Sequence, residues 1–142
     1  MEFKKIVEAA IKQEESSYKL YIRGYRETSI RSAKILFKKL AGQELRHKKL
    51  LQNLDINNVT SFPKSIYYFL HLDDLQLTPL NELNEIKDIL KFAIKKEIRA
   101  YKQYSGIVKI LPFGEMKTFF KKLAGEEQKH KNLVSDAYEK LF

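Results

Sequence analysis

Apolar residues recur along this chain at intervals of three and four positions, the spacing of one face of an α-helix. In the first segment they are Val7, Ala10, Ile11, Tyr18, Tyr21 and Tyr25. Three later segments repeat the pattern, and we predict helices near 2–26, 29–54, 84–110 and 114–141. We therefore expect an all-α fold.

Breaks in the apolar pattern separate these helices. Thr28 and Ser29 can cap the second helix, whereas Pro112 and Gly114 separate the third from the fourth. Residues 55–83 form a long crossover between the second and third helices. Because a connection of this length inside a compact domain usually carries structure of its own, we predict a short helix near 64–72.

The chain contains an internal repeat. Residues 38–51 read KKLAGQELRHKKLL and residues 121–134 read KKLAGEEQKHKNLV, an offset of 83 positions. At that offset, repeat one (6–51) aligns with repeat two (89–134) without a gap. Each repeat is predicted to be a helical hairpin. We expect one domain over residues 1–142, an antiparallel four-helix bundle of two hairpins joined by the crossover.

Several polar residues lie on the apolar faces of the predicted helices. Glu14 follows Val7 by seven positions and Ala10 by four, so it shares their face. Glu44 follows Leu40 by four positions and is followed by a histidine after three more. The second repeat has the same residues, and the six candidates are Glu14, Glu44, His47, Glu97, Glu127 and His130.

Four carboxylates and two imidazoles inside one bundle need compensation, because a buried unpaired carboxylate costs several kcal/mol. Two divalent cations carry the charge that balances four carboxylates, and the single glutamates 14 and 97 can either bridge or cap them. The repeat also decides between neighbouring acids. Glu15 aligns with Ile98 and Glu126 aligns with Gln43, so Glu14 and Glu127 are the ligand candidates.

The duplicated motif E-x6-Y followed by E-x2-H resembles the rubrerythrin family of the ferritin-like superfamily. It reads Glu14-x6-Tyr21 with Glu44-x2-His47, and Glu97-x6-Tyr104 with Glu127-x2-His130. The resemblance implies that the six candidates bind two iron ions per chain and form the catalytic centre. Mn or Zn can occupy such sites in isolated protein. It further implies reduction of peroxide or dioxygen in oxidative-stress defence, an external electron-donor protein such as a rubredoxin, and a homodimer.

Two features depart from that family. Full rubrerythrins carry an extra glutamate three residues after the third-helix ligand, where this chain has Ala100, and the repeat counterpart is Ser17. Long members also have a rubredoxin-like domain with four cysteines, and this sequence contains none. Tyr21 and Tyr104 are either plain core aromatics or hydrogen-bond donors to the ligand carboxylates.

Composition and charge leave rival functions open. The absence of cysteine excludes disulfides and thiolate metal sites, and the formal charge of +9 favours acidic partners. The alternatives are a ferroxidase or iron-handling protein, and a basic helical module that binds nucleic acid around a structural metal. No recognition motif supports nucleic-acid binding. With no apolar run that could span a bilayer and no signal-peptide pattern, we expect a cytoplasmic protein without membrane contact.

Overall fold

The computed structural model describes residues 3–56 and 85–142, which form four long α-helices in those two ranges. The helices are α1 (Phe3–Glu27), α2 (Arg31–Gln52), α3 (Ile86–Ile110) and α4 (Glu115–Leu141). Each predicted boundary lies within two residues of the observed one. The predicted helix at 64–72 lies outside the described residues, as does the crossover from residue 57 onward.

The turn between α1 and α2 differs from the predicted capping. The N-cap of α2 is Ile30, which has no side-chain cap, so the prediction of a Thr28 or Ser29 cap was wrong. The Thr28 hydroxyl instead accepts the Ile30 backbone N–H at 3.1 Å, and the Thr28 N–H donates to the carbonyl of Gly24 at 3.0 Å. Thr28 therefore closes the end of α1 and holds the turn.

The turn before α4 depends on Gly114. Its φ of +142° lies in a region that side chains with a Cβ rarely adopt. The Gly114 carbonyl accepts the Thr118 N–H at 3.1 Å and so begins the hydrogen bonding of α4. The predicted break at this glycine is confirmed.

The helices pair as the repeat predicts, α1 with α2 and α3 with α4, while α1 also contacts α3 and α2 contacts α4. Two clusters of buried apolar residues fill the two ends of this bundle. The first end cluster contains Phe3, Ile6, Val7, Ala10, Leu51, Ala100, Tyr104, Ile107, Leu111, Phe120, Leu123 and Ala124. The second end cluster contains Leu20, Tyr21, Ala33, Phe37, Leu40, Ala41, Ile89, Leu90, Phe92, Ala93 and Val134.

Membership of the clusters gives the direction of each helix. The first end cluster takes residues from the beginning of α1 and α4 and from the end of α2 and α3, and the second takes the opposite ends. Each of these four pairs of helices is therefore antiparallel, as predicted. It also follows that α2 ends and α3 begins at opposite ends of the bundle.

Within the described ranges, no helix combines the length and the apolar character needed to cross a membrane.

Candidate metal centre

The six predicted residues meet between the two end clusters. One glutamate comes from α1, one from α3, and a glutamate–histidine pair comes from each of α2 and α4. All six side chains are buried, and none belongs to a residue more than 3% exposed. They are Glu14, Glu44, His47, Glu97, Glu127 and His130. Helical periodicity explains this burial, because each residue lies on the stripe that carries the apolar core.

The six residues form two overlapping groups of candidate donors. One group, here called the His47 site, consists of Glu14, Glu44, His47 and Glu127. The other group, the His130 site, consists of Glu44, Glu97, Glu127 and His130. Within each group one donor atom per residue lies within 4.8 Å of all the others. Glu44 and Glu127 belong to both groups, so the arrangement favours bridging by them and capping by the single glutamates.

Both histidines point their Nδ1 atoms into the centre. Nδ1 of His47 lies 2.9 Å from Oε1 of Glu127 and 3.5 Å from Oε2 of Glu14. Nδ1 of His130 lies 2.7 Å from Oε1 of Glu44 and 3.6 Å from Oε1 of Glu97. The two rings are nearly parallel, at 13°, with centroids 5.7 Å apart. The two imidazoles are thus stacked against each other, and each contacts one of the shared carboxylates.

The outer nitrogens of the same two rings contact acceptor oxygens. Nε2 of His130 lies 2.5 Å from Oε1 of Gln43, and Nε2 of His47 contacts the carboxylate of Glu126. An acceptor at Nε2 holds a proton on that nitrogen. Nδ1 is then the atom that each ring can offer to a metal.

Two tyrosines close the centre at its two ends. The Tyr104 hydroxyl donates to Oε1 of Glu14 at 2.5 Å, and the Tyr21 hydroxyl donates to Oε1 of Glu97. Both bonds join α1 to α3, and they are related by the repeat. Burial and the charges of Glu97 and Glu14 respectively raise the pKa of Tyr21 and of Tyr104, so both hydroxyls stay protonated donors. Both rings also lie in an end cluster, so each tyrosine serves in core packing and in hydrogen bonding.

The shared glutamates are poorly placed to be ionised without a cation. Burial, followed by the charges of Glu14 and Glu97, raises the pKa of Glu44 well above its ordinary value. Burial and the charges of the other three glutamates do the same to the pKa of Glu127. For Glu14 the effect of burial is outweighed by hydrogen bonds with His47 and Glu44, which lower its pKa. The centre therefore favours partial protonation when no positive ion is present.

His47, which belongs to the same donor group as Glu14, has a raised pKa. Burial acts to lower the pKa of His47, but the hydrogen bond and charge of Glu14, followed by those of Glu126, raise it. An imidazolium at His47 would supply part of the missing positive charge. A metal ion at the same place would displace the Nδ1 proton.

Several buried donor atoms of the centre have no hydrogen-bond partner among the described residues. They are Oε2 of Glu14, Oε2 of Glu97 and Oε2 of Glu127, together with Oε1 of Glu44 and Nδ1 of His130, which lie 2.7 Å apart without hydrogen-bond geometry. Such atoms are rare in protein interiors unless they bind an ion or water. Carboxylate oxygens combined with imidazole nitrogens are a ligand set that suits iron and manganese. The residues therefore fit a pair of divalent metal ions.

Sequence reasoning missed the two residues behind the histidines. Glu126 was set aside as a ligand because its repeat counterpart is Gln43, yet each contacts the outer nitrogen of a histidine. The contacts cross between helices: Glu126 on α4 meets His47 on α2, and Gln43 on α2 meets His130 on α4. The repeat shows that the two positions correspond, but no periodicity within one helix reveals a partner on another.

The fold and the site together define an all-α bundle with a buried glutamate–histidine centre that could hold two metal ions. In a comparison with protein families, the model described as Rubrerythrin matches residues 88–142, nearly all of α3 and the whole of α4. The resemblance inferred from the motif is thus confirmed for the second hairpin, which supplies Glu97, Glu127 and His130. No curated protein matches the chain.

Proposed function

We propose that this protein is a di-iron carboxylate oxidoreductase that reduces peroxide or dioxygen. The proposal rests on the two overlapping donor groups, in which each of the four glutamates has one buried oxygen without a hydrogen bond among the described residues. The rubrerythrin match over residues 88–142 supports iron as the metal and redox chemistry as its use. Glu44 and Glu127 would bind both ions, while Glu14 with His47 and Glu97 with His130 would each bind one.

The chemistry needs two electrons. The six residues would hold two Fe(II) ions, whose two electrons, together with two protons, would convert one hydrogen peroxide molecule into two water molecules. The protein contributes a rigid and dry setting, since the end clusters exclude water on both sides of the carboxylates. Tyr21 and Tyr104 hold the single glutamates in place through their hydroxyl groups.

Metal uptake must also release protons. The raised pKa values of Glu44, Glu127 and His47 mean that these groups hold protons at neutral pH more readily than usual. A metal ion competes with those protons, so its affinity rises with pH. Protonation of these three residues is therefore coupled to metal binding.

Regeneration of Fe(II) requires a reductant. The sequence has no cysteine and therefore no thiolate iron site of its own. We propose that an external electron-donor protein, such as a rubredoxin, reduces the iron, and that the protein acts as a homodimer in cytoplasmic oxidative-stress defence.

Stopped-flow mixing under anaerobic conditions tests the oxidant. Protein loaded with Fe(II) should be oxidised by hydrogen peroxide or by dioxygen faster than free Fe(II) in the same buffer, and should turn over only with an added electron donor. The double variant Glu44→Ala/Glu127→Ala is the matched control and should behave like free Fe(II). Oxidation of the intact protein no faster than that of free Fe(II) would leave a structural role for the metal.

An alanine at position 100, in place of the extra glutamate of the family, favours iron handling as a second function. It is buried in the first end cluster, at the position of the extra family glutamate. Without that carboxylate, the proposed centre would have six ligands, three from each repeat. Oxidation of many Fe(II) equivalents per chain by dioxygen, without an electron donor, would identify a ferroxidase. If the missing acid sets the oxidant, Ala100→Glu should shift the preference toward peroxide.

A further inference from the structure

The two candidate histidine ligands are backed by different chemical groups. Nε2 of His47 contacts a carboxylate, that of Glu126, whereas Nε2 of His130 lies 2.5 Å from the amide oxygen of Gln43. Gln43 and Glu126 occupy equivalent positions in the two repeats, 83 residues apart. The six candidate ligands are therefore repeated, but the groups that contact the outer nitrogens of the two histidines are not.

The carboxylate behind His47 is itself held in position. Oε1 of Glu126 accepts a hydrogen bond from Nη2 of Arg46 at 2.9 Å, while its Oε2 faces the histidine. The Glu126 side chain is only 22% exposed. Its contacts with Arg46 and His47 further restrict its orientation. The residue equivalent to Arg46 in the second repeat is Lys129, and the residue equivalent to Glu126 in the first repeat is the neutral Gln43.

A carboxylate and an amide affect a metal-binding imidazole differently. A carboxylate attracts the Nε2 proton strongly, which increases the basicity of Nδ1, and it adds a negative charge near the cation. A neutral amide oxygen fixes the ring orientation but has a weaker effect on its basicity. Replacing a group of this kind commonly changes metal affinity by about 10- to 100-fold.

We propose that Glu126 is a positioning residue that makes the two metal sites unequal, so that the His47 site binds a divalent cation more tightly and fills first. The proposal rests on the metal centre inferred above. The inequality depends on Gln43 and Glu126, which differ between the repeats. The centre itself depends on the six candidate ligands, which are the same in both repeats.

Single-histidine variants isolate the two sites. His130→Ala keeps the complete His47 site, and His47→Ala keeps the complete His130 site. Each variant is titrated with Co(II), whose absorption reports binding, in competition with a chelator. The His130→Ala protein should bind its Co(II) ion about 10- to 100-fold more tightly than the His47→Ala protein.

The change Glu126→Gln then tests how the difference arises. In the His130→Ala background it should weaken Co(II) binding by about 10- to 100-fold, because the carboxylate behind His47 is lost. In the His47→Ala background it should have little effect. Gln43→Glu in that same background should tighten binding, a gain that misfolding cannot imitate.

A measurement on the six-ligand protein does not depend on removing a ligand. In protein with ¹⁵N-labelled histidine, one equivalent of Zn(II) should shift the ring resonances of His47 before those of His130. Equal affinities in the two single-histidine variants, or equal losses from Glu126→Gln in both backgrounds, would overturn the inequality and leave the centre intact. Failure of the unmodified protein to bind Co(II) at all would overturn the centre itself.

Discussion

The middle of the bundle and its two ends are equally excluded from solvent but differ in chemistry. Phe37 and Phe120, in the two end clusters, are fully buried, and so are His47 and Glu127 between them. Burial of apolar surface stabilises the ends by about 25 cal/mol per Å². Burial of carboxylates in the middle costs free energy unless their charge is neutralised. The ends therefore stabilise the fold, and they hold in place a centre that by itself opposes folding.

On each side of the centre a single tyrosine separates the carboxylates from an end cluster. The Tyr21 ring lies 6.2 Å from that of Phe37, and the Tyr104 ring lies 5.9 Å from that of Phe120. The hydroxyl of each tyrosine reaches the carboxylates, while its ring stays in an end cluster. Because both aromatic pairs are related by the repeat, the same boundary occurs on both sides of the centre.

Loss of the two shared carboxylates should have the greatest effect, because it removes metal binding in the middle and leaves the end clusters unchanged. The double variant Glu44→Ala/Glu127→Ala loses both shared carboxylates, so its metal content should fall from two ions per chain to less than one. Elemental analysis after Fe(II) loading and desalting measures this. Glu139→Ala, on the exposed surface of α4, is the control and should keep two ions. Full metal content in the double variant would contradict the ligand assignment.

The second prediction concerns substitutions that remove apolar contacts from the end clusters. Phe37→Ala and Phe120→Ala should each lower the free energy of unfolding by about 3–5 kcal/mol. The loss should be similar with and without metal, because both rings lie in the end clusters. Urea unfolding of both forms measures it. Ile35→Ala, whose side chain is 62% exposed, should change the free energy of unfolding by less than about 0.5 kcal/mol. A loss confined to the metal-loaded form would contradict the separation of ends and middle.

The metal-free protein should become less stable as the pH rises from about 4.5 toward neutrality. The folded-state pKa values of Glu44 and Glu127 are raised, so their protonated forms favour folding below the ordinary value of 4.5. That stabilisation is lost as the pH rises through the folded pKa of each group, with a slope of up to about 1.4 kcal/mol per pH unit for each. The raised pKa of His47 acts in the same direction above 6.5.

Below about pH 4.5 the trend should reverse, because the pKa of Glu14 and that of Glu126 are lowered in the folded protein. Melting temperatures recorded across this range, with and without metal, test the prediction. Over this range metal should raise the melting temperature most near neutral pH, where fewer protons compete with it for the carboxylates. Equal melting temperatures for the two forms at neutral pH would argue against a buried centre.

The smallest expected effect concerns the boundary. Tyr21→Phe keeps the ring in the second end cluster and removes only the bond to Glu97, at a cost of about 1–3 kcal/mol because Oε1 of Glu97 stays buried without that donor. Two metal ions should still bind. Tyr104→Phe is the matched change on the other side and should give a similar loss by urea unfolding. A fall in metal stoichiometry would instead show that the hydroxyl groups are needed to place the ligands.

Local patterns in the sequence were enough to predict the four helices and most of the residues of the centre. Apolar spacing within each helix is a local property, so it predicted helix boundaries to within two residues. The repeat identified the six buried donors, because two independent helical faces carried the same polar residues at equivalent positions. The break at Gly114 was predictable as well, since its conformation is set by the glycine itself.

The contacts between residues on different helices became known from the packing of the bundle. It showed that Glu44 and Glu127 belong to both donor groups, that each tyrosine reaches the glutamate of the other repeat, and that Glu126 lies behind His47. It also moved the start of α2 to a residue without a side-chain cap. These contacts join residues about 80 positions apart, and they depend on how the helices pack against each other, which the periodicity of a single helix does not contain.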